Sequence, residues 1–166
     1  MTWRIGVIAD THGLMRPEAL AALAGVDRIL HAGDIGGDHV LAALRRIAPV
    51  TFIRGNNDDD DGCAIKRITS GEKRILLTHI LPRPNEPRGP VRDLLPLVDI
   101  VVFGHSHLPH NEVIDGVLFF NPASAGPRRF DYPVSVGMIE GDRAYHVALD
   151  DRSEADLEKR RNQLSR

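Results

Sequence analysis

The chain has 166 residues, with 21 basic and 23 acidic side chains and a formal net charge of −2. That length suits one domain with a full hydrophobic core, and the near-balance of charge gives no signal for nucleic acid or for an anionic membrane surface. No apolar stretch approaches the roughly 20 residues of a membrane span. Cys63 is the single cysteine, so no disulfide can form within the chain and a cytoplasmic location is favoured. The first strand begins by about Trp3, which leaves no room before it for a secretory signal peptide.

The N-terminal third alternates between strand and helix patterns. Apolar runs predict strands over residues 3–9, 27–31 and 49–54, and apolar residues at helical spacing predict helices over 17–24 and 37–47. This β-α-β-α-β order predicts parallel strands joined by right-handed crossovers. The first half is therefore expected to be of the α/β type.

The second half consists mainly of predicted strands joined by short turns. Ser70-Gly71-Glu72 and Asp115-Gly116 are typical turn sequences, and from Glu112 onward the pattern predicts an antiparallel meander. Residues 91–97 favour a short helix despite Pro96. The remaining strands are predicted over 64–69, 73–79, 98–103, 134–139 and 144–149.

Two further segments are polar or rich in proline. The stretch 82–90 is either a solvated loop or a lid at the edge of a substrate site. Residues 151–166 are highly charged and predict a surface helix or a frayed tail rather than a functional arm. No change of composition divides the chain, so we expect residues 1–166 to form one domain.

Five of the predicted strands end in side chains that can bind a metal. Because ligands of α/β sheets bind outside the carboxyl ends of the strands, these side chains should converge at one edge. Taken alone, a histidine at a strand end is more often a hydrogen-bonded core residue, and the segment 10–13 would pass for a turn. The seven residues are Asp10, His12, Asp34, Asn56, His79, His105 and His107.

The chemistry of this set points to a metal centre. Carboxylate, amide and imidazole groups are oxygen and nitrogen ligands, with no thiolate among them, which suits Mn²⁺, Fe²⁺, Co²⁺, Ni²⁺ or Zn²⁺ better than a structural zinc cluster. Seven ligands are too many for one tetrahedral ion and suit two ions that share a carboxylate. The sequence therefore predicts a binuclear site.

As an ordered set, these motifs resemble those of the calcineurin-like metallophosphoesterases, and within them the small prokaryotic phosphodiesterases. The resemblance covers residues 3 to about 149 and implies a four-layer α/β/β/α sandwich of two mixed sheets flanked by helices. The motifs are D-x-H-G, G-D, G-N-x-D, a histidine at a strand end and G-H-S-H, at residues 10–13, 33–34, 55–58, 79 and 104–107.

The resemblance also implies a role for each ligand. One metal would be held by Asp10, His12 and His107, the other by Asn56, His79 and His105, with Asp34 as the bridge. The catalytic candidates, which would contact or activate the reacting groups, are His12, Asp34, Asn56 and His105.

Four residues beside the ligands allow more than one interpretation. Asn57 stands where many members of the family have a histidine thought to protonate the leaving group; because asparagine cannot titrate, another acid or a good leaving group is needed, and Asn57 is a candidate substrate contact. Asp58 either orients a neighbouring ligand or begins a solvated acidic run. Arg128 and Arg129 either clamp a substrate phosphate or belong to a solvated loop.

The expected function is that of a two-metal phosphoesterase, and the resemblance favours phosphodiesters over monoesters. Its cofactors would be two divalent cations, with Mn²⁺ in first place, its nucleophile a metal-bridging hydroxide, and its partner a small-molecule phosphate ester. The alternatives are a phosphomonoesterase and a catalytically weak protein-binding scaffold, since the resemblance extends to the phosphoesterase-like subunit of the retromer coat. An exposed edge strand in the C-terminal half would allow a homodimer.

Overall fold

The computed structural model describes residues 2–58, 62–81, 90–129 and 131–149, which form two mixed five-stranded sheets flanked by helices. The helices are α1 (Pro17–Ala22), α2 (Asp38–Arg45) and α3 (Pro90–Leu94), with a 3₁₀ turn at Leu95–Leu97. Among the described helices, none has the length and hydropathy to cross a membrane. The strands are β1 (Arg4–Ile8), β2 (Arg28–His31), β3 (Val50–Phe52), β4 (Ile65–Ser70), β5 (Lys73–Thr78), β6 (Ile100–Val102), β7 (Pro109–Ile114), β8 (Val117–Pro122), β9 (Ser135–Glu140) and β10 (Arg143–Ala148).

The first sheet has the strand order β10-β9-β1-β2-β3. Strands β1, β2 and β3 are parallel, as the alternating pattern predicts, and α1 and α2 lie in the connections between them. Strand β9 pairs antiparallel with β1, and β10 pairs antiparallel with β9. Because β1, β2 and β3 are parallel, the segments that follow them all emerge at the same edge of the sheet.

The second sheet has the strand order β4-β5-β6-β8-β7, with β5, β6 and β8 parallel. The hairpins β4–β5 and β7–β8 supply the two outer strands. The turn predicted at Asp115-Gly116 joins β7 to β8, and both residues have positive φ, 51° and 81°, as a type I′ hairpin turn requires.

Three apolar clusters separate the layers of the fold. One lies between the two sheets, one lies between the first sheet and helices α1 and α2, and the third covers the outer face of the second sheet beside the 3₁₀ turn. This order of layers confirms the predicted α/β/β/α sandwich. Representative members are Val7, Leu30, Leu77 and Phe120 between the sheets, Leu23, Val40 and Leu44 under the helices, and Val101, Phe103, Leu94 and Leu95 on the second sheet.

One sequence-based prediction of local structure holds only in part, and a second is wrong. The helix predicted over 91–97 is divided, because Pro96 has no N–H for a helical hydrogen bond, and the chain continues from Leu94 as a 3₁₀ turn. The segment from Glu112 is not one meander, since β7 and β8 belong to the second sheet and β9 and β10 to the first. Strand β9 is buried along nearly its whole length. It has β1 on one side and β10 on the other, and its two faces pack into the cores on the two sides of the first sheet, which explains its position beside β1.

Three predicted segments lie outside the described residues. They are the acidic residues 59–61, the proline-rich residues 82–89 and the charged residues 151–166. The expectations for them therefore stay predictions.

The core between the sheets provides a test of the fold. Phe120 is fully buried there and packs against Gly137 of β9, where an added Cβ would lie 2.2 Å from the phenyl ring. We expect Phe120→Ala to lower the free energy of unfolding by about 3–5 kcal/mol, because the cavity cannot close between two rigid sheets. Urea unfolding measures this, with Val113→Ala as the control: Val113 is 66% exposed, and its truncation should change the stability by no more than about 0.5 kcal/mol. Equal effects of the two substitutions would contradict the packing described.

Candidate metal centre

The seven predicted ligands follow five different strands and meet where the strand ends of the two sheets adjoin. Asp10 and His12 follow β1, Asp34 follows β2 and Asn56 follows β3 in the first sheet. In the second sheet, His79 follows β5, and His105 and His107 follow β6. The contacts between the two sets of side chains are short, such as 3.3 Å from His79 Nε2 to Asp34 Oδ2.

Two groups of these side chains have the spacing of metal ligands. Asp10, His12 and His107 offer ligand atoms within 4.8 Å of one another, and so do Asp10, Asp34 and His79. The first group is the set that the resemblance assigns to one metal. In the second, Asp34 and His79 come together as expected, but Asp10 joins them, so the carboxylate common to both groups is that of Asp10 and not that of Asp34, which the resemblance implies as the bridge.

Asn56 and His105 lie together at the outer side of the cluster. Asn56 Oδ1 is 3.1 Å from His105 Nδ1, and the ring of His105 meets that of His79 edge to face at 5.3 Å. Both are exposed and His12 is half-buried, whereas the other four ligands are buried. The cluster therefore has a buried floor and a solvent-facing mouth formed by three of the catalytic candidates.

The floor contains acceptor atoms that face one another. His79 Nδ1 lies 2.7 Å from the carbonyl oxygen of Ala32, and because a carbonyl only accepts, Nδ1 carries the proton and the Nε2 lone pair points inward. That lone pair is 3.3 Å from Asp34 Oδ2 and 3.8 Å from Asp10 Oδ1. His79 Nε2 and Asp10 Oδ1 have no hydrogen-bond partner among the described residues. Buried acceptors in this arrangement repel one another unless a cation lies between them, so the donor set fits a metal.

The electrostatics of the floor agree with this interpretation. Burial, and then the nearby charge of Asp34, raises the pKa of Asp10 from 3.8 to about 7. Burial lowers the pKa of His79, and burial followed by the charge of Arg129 lowers the pKa of His107 to about 4. Burial also acts to raise the pKa of Asp34, but two hydrogen bonds from Asn57 outweigh it and the pKa lies below its usual value. His79 and His107 are thus neutral, as metal ligands must be.

The backbone at the site is strained. Five of the seven ligands have left-handed φ angles between 46° and 70°, although none is glycine. This conformation costs an L-residue about 1–2 kcal/mol, and strain of this kind concentrates at functional sites. It turns the chain sharply after β1, β2 and β6, so that the side chains of these five residues point into the same space. The five are Asp10, His12, Asp34, His105 and His107.

A hydrogen-bonded chain of buried groups connects the first two ligand loops. The N–H of Gly33 donates to His31 Nδ1, so the proton of His31 is on Nε2, which donates to Thr11 Oγ1 at 2.9 Å. Thr11 Oγ1 in turn donates to the carbonyl oxygen of Ile35 at 2.8 Å. Burial lowers the pKa of His31 to about 3, which keeps it neutral in this role. From the sequence, His31 in the second predicted strand is expected to be a core residue or to lie beside the site. The sequence predicts no role for Thr11; the one hint of such a role is that a polar residue stands between the candidate ligands Asp10 and His12.

The turn at residues 121–124, which resembles a family motif, supports the remaining loops. Asn121 Nδ2 donates to the carbonyl oxygen of Gly104 and to Ser106 Oγ, and thereby holds the loop that carries His105 and His107. Ser124 Oγ donates to the carbonyl oxygen of Asp10 at 3.1 Å. The turn is thus a scaffold for ligands on both sheets.

The three substrate candidates differ in what surrounds them. The side chain of Asn57 donates to Asp34 Oδ2. Arg128 and Arg129 are exposed, and the charge of Arg129 acts on both Asp10 and His107. Arg129 therefore lies near enough to influence the cluster electrostatically.

The fold and the ligand cluster agree with a family model that matches the chain. The model of the calcineurin-like phosphoesterase superfamily domain matches residues 3–144. The chain belongs to this superfamily, as the order of its motifs indicates.

Similar proteins include named phosphoesterases. The chain is 33% identical over 150 residues to a "Probable metallophosphoesterase" of Methanothermobacter thermautotrophicus. The matched region covers 84% of this chain and 87% of the relative. It is 38% identical over 116 residues to phosphodiesterase YfcE of Escherichia coli, covering 63% of this chain and 59% of YfcE.

Solved structures share the fold. The phosphoesterase YfcE of E. coli superimposes with a TM-score of 0.70 at 24% identity, covering 90% of this chain and 95% of YfcE. Vps29 of Chaetomium thermophilum superimposes with a TM-score of 0.73 at 21% identity, covering 90% and 91% of the two chains. These likenesses concern the architecture alone.

The buried carboxylate of Asp10 leads to a test on metal-free protein. The pKa of Asp10 is about 7 in the folded state against an ordinary 3.8, so its carboxyl group destabilises the fold progressively as the pH rises from about 4 to 7 and fully above 7. In EDTA-treated protein at pH 8 we therefore expect Asp10→Asn to be more stable than the wild type. The gain should be a few kcal/mol, because a tenfold change in a proton affinity corresponds to about 1.4 kcal/mol, and it should shrink at pH 5.

Urea unfolding at the two pH values measures this gain. Asp115→Asn, in the exposed β7–β8 turn, is the matched control and should change little at either pH. If Asp10→Asn is no more stable than the wild type at pH 8, the burial of that charge is not destabilising and the electrostatic picture of the floor is wrong.

Proposed function

We propose that this protein is a metal-dependent phosphodiesterase that binds two divalent cations at the cluster. The observation that carries the proposal is the set of facing acceptors in the floor, where oxygens of two carboxyl groups lie 3.3 and 3.8 Å from an imidazole nitrogen that has no hydrogen-bond partner among the described residues. A cation removes that repulsion. Membership of a phosphoesterase superfamily supplies the class of reaction.

The ligand assignment is the one that the family resemblance implies, and the grouping of Asp10 with His12 and His107, and of Asp34 with His79, supports it. Asp10, His12 and His107 would hold one cation, and His79, Asn56 and His105 the other, with Asp34 shared. When bound, two such ions supply an activated water and Lewis-acid stabilisation of the phosphoryl oxygens. Mn²⁺ is the cation that we expect first, because hard oxygen and imidazole ligands suit it, with Ni²⁺, Co²⁺, Fe²⁺ and Zn²⁺ as alternatives.

The residues of the chain itself bind and orient the substrate. A phosphate ester approaches from the mouth, where His12, Asn56 and His105 are accessible, while the buried ligands stay out of its reach. Arg129 is exposed and adds a positive charge whose field reaches Asp10 and His107, which favours an anionic substrate. A small-molecule phosphate ester is thus the proposed partner.

The preference for diesters rests on the family resemblance, and the preference for good leaving groups rests on the residue at position 57. The relative YfcE, 38% identical over the matched residues, is named a phosphodiesterase. At position 57 the chain has an asparagine, which cannot give a proton to a departing alkoxide. The proposed substrates are therefore diesters with good leaving groups.

The competing function is a protein-binding scaffold, since Vps29 has the same fold. A scaffold needs no cluster of buried acceptors, and burying such groups without a cation costs several kcal/mol. The cluster therefore favours the enzyme.

The first test measures hydrolysis of bis-p-nitrophenyl phosphate and of p-nitrophenyl phosphate by chelated protein to which Mn²⁺ is added back. We expect the diester to be hydrolysed faster than the monoester, and only with metal. His79→Ala should reduce turnover to near background, because it removes a buried nitrogen ligand. His110→Ala is the matched control, since His110 lies on β7 beside Glu112, outside the cluster, and it should retain wild-type turnover.

Hydrolysis that survives both chelation and His79→Ala would contradict a metal mechanism. Folded wild-type protein that hydrolyses neither ester with any of the five metals would favour the scaffold.

The role of Arg129 is tested separately. A phosphate contact that is equally strong in the ground state and the transition state affects KM rather than kcat. We expect Arg129→Ala to raise KM for the diester roughly 10-fold, corresponding to a charge-assisted hydrogen bond of about 1.5 kcal/mol, with kcat nearly unchanged. Arg143→Ala, on β10 over the ring of Tyr145, is the control. An unchanged KM would exclude Arg129 from phosphate binding.

A further inference from the structure

One residue holds both oxygens of the Asp34 carboxylate. The backbone N–H of Asn57 donates to Oδ1 at 2.9 Å, and the side-chain Nδ2 donates to Oδ2, also at 2.9 Å. Two donors from one residue fix the plane of the carboxylate as well as its position. A carboxylate has about four lone-pair positions, and Asn57 uses two of them. The other two remain free to bind a cation on the side of His12 and His79, whose Nε2 atoms lie 3.6 and 3.3 Å from Oδ2.

This contact depends on glycine at two positions. A Cβ on Gly55 would lie 2.1 Å from Asp34 Oδ1 and 2.3 Å from Asp34 N, and a Cβ on Gly33 would lie 2.8 Å from Gly55 N. The two loops are therefore in backbone contact where they pass. The turn that follows Gly55 brings Asn57 onto the carboxylate because no side chain separates the loops.

Asp58 fixes the distance between the same two loops. Its Oδ1 accepts from the N–H groups of Ile35 and Gly36 at 2.9 and 3.2 Å, and its Oδ2 accepts from the N–H of Gly55 at 2.7 Å. Each bond is charge-assisted, and together they join the loop after β2 to the loop after β3. Asp58 is thus engaged with the backbone, unlike a residue of a solvated acidic run.

We propose that Asn57 is the positioning residue of Asp34, and that Asp58 sets the loop spacing on which the contact depends. The inference rests on the proposed two-metal function. In this chain, position 57 orients a shared metal ligand through two donated hydrogen bonds. One of the two N–H groups of its side-chain amide is used by that contact, so a substrate that displaced this bond would also disturb Asp34, and an amide cannot titrate to supply a proton.

Isothermal titration calorimetry of Mn²⁺ into chelated protein tests this role directly. Asn57→Ala and the similarly sized Asn57→Leu both lose the side-chain donor and keep the backbone donor. We expect each to bind Mn²⁺ about 10-fold more weakly or worse, as is typical when a hydrogen-bond partner of a metal ligand is lost. Asp58→Asn should also weaken binding. One carboxylate oxygen is replaced by an amide N–H₂ group, which cannot accept a hydrogen bond from the backbone N–H groups of the two loops and repels them.

The controls separate positioning from folding. Asn111→Ala removes an asparagine whose Nδ2 donates to the carbonyl oxygen of Ala144 in the sheets, and it should bind Mn²⁺ as the wild type does. Asn57 is exposed, so its variants should keep the unfolding midpoint of the metal-free wild type, which shows that a loss of affinity does not reflect unfolding.

Two outcomes overturn the inference in distinguishable ways. If the wild type binds Mn²⁺ and Asn57→Ala binds it equally well, the positioning role is wrong while the metal site stands; a raised KM for the diester in that variant would then assign Asn57 to the substrate. If the wild type itself binds no Mn²⁺, the proposed function fails, and the inference fails with it.

Discussion

The repulsion among buried acceptor groups is the constraint around which the site is organised. Asp10, Asp34 and His79 point ionisable or lone-pair atoms at one another inside a fold that gives them almost no water. Such an arrangement is unfavourable for the metal-free chain, and the raised pKa of Asp10 reflects it. It becomes favourable when cations occupy the space, because each acceptor then has a partner. The floor of the cluster thus has the arrangement of acceptor atoms that is expected of a site that binds cations.

The rest of the molecule keeps these groups from moving apart. The left-handed backbone at five ligands, and the backbone contact between Gly33 and Gly55, are strained or tight features that a looser fold would relax. They persist because hydrogen bonds hold each loop in place. His31 and Thr11 join the loops after β1 and β2, Asn57 and Asp58 join the loops after β2 and β3, and Asn121 holds the loop after β6. The core between the two sheets then fixes one set of strand ends against the other.

The division between floor and mouth separates two tasks. Buried ligands have lowered histidine pKa values and few alternative partners, which suits the holding of a cation. The accessible candidates His12, Asn56 and His105 are the ones that, under the proposed function, would meet a substrate. The sandwich fold does not by itself define an activity; the chemistry depends on which side chains stand at the strand ends.

The sequence by itself determined the fold class, the parallel β1-β2-β3 unit and the set of candidate ligands at the strand ends, because strand periodicity and strand-end residues are local signals. Asp10, His12, Asp34, His79 and His107 come together as their positions after apolar runs predict. Tertiary structure decided the features that depend on packing between distant segments. Strand β9 joins the first sheet because both of its faces find a core there, Pro96 divides a helix that the apolar pattern favoured, and Thr11 gains its role only because His31 lies across from it. Likewise, the contact of Asn57 with Asp34 joins residues 23 positions apart, and no motif predicts it, since it exists only where two glycines let the loops touch.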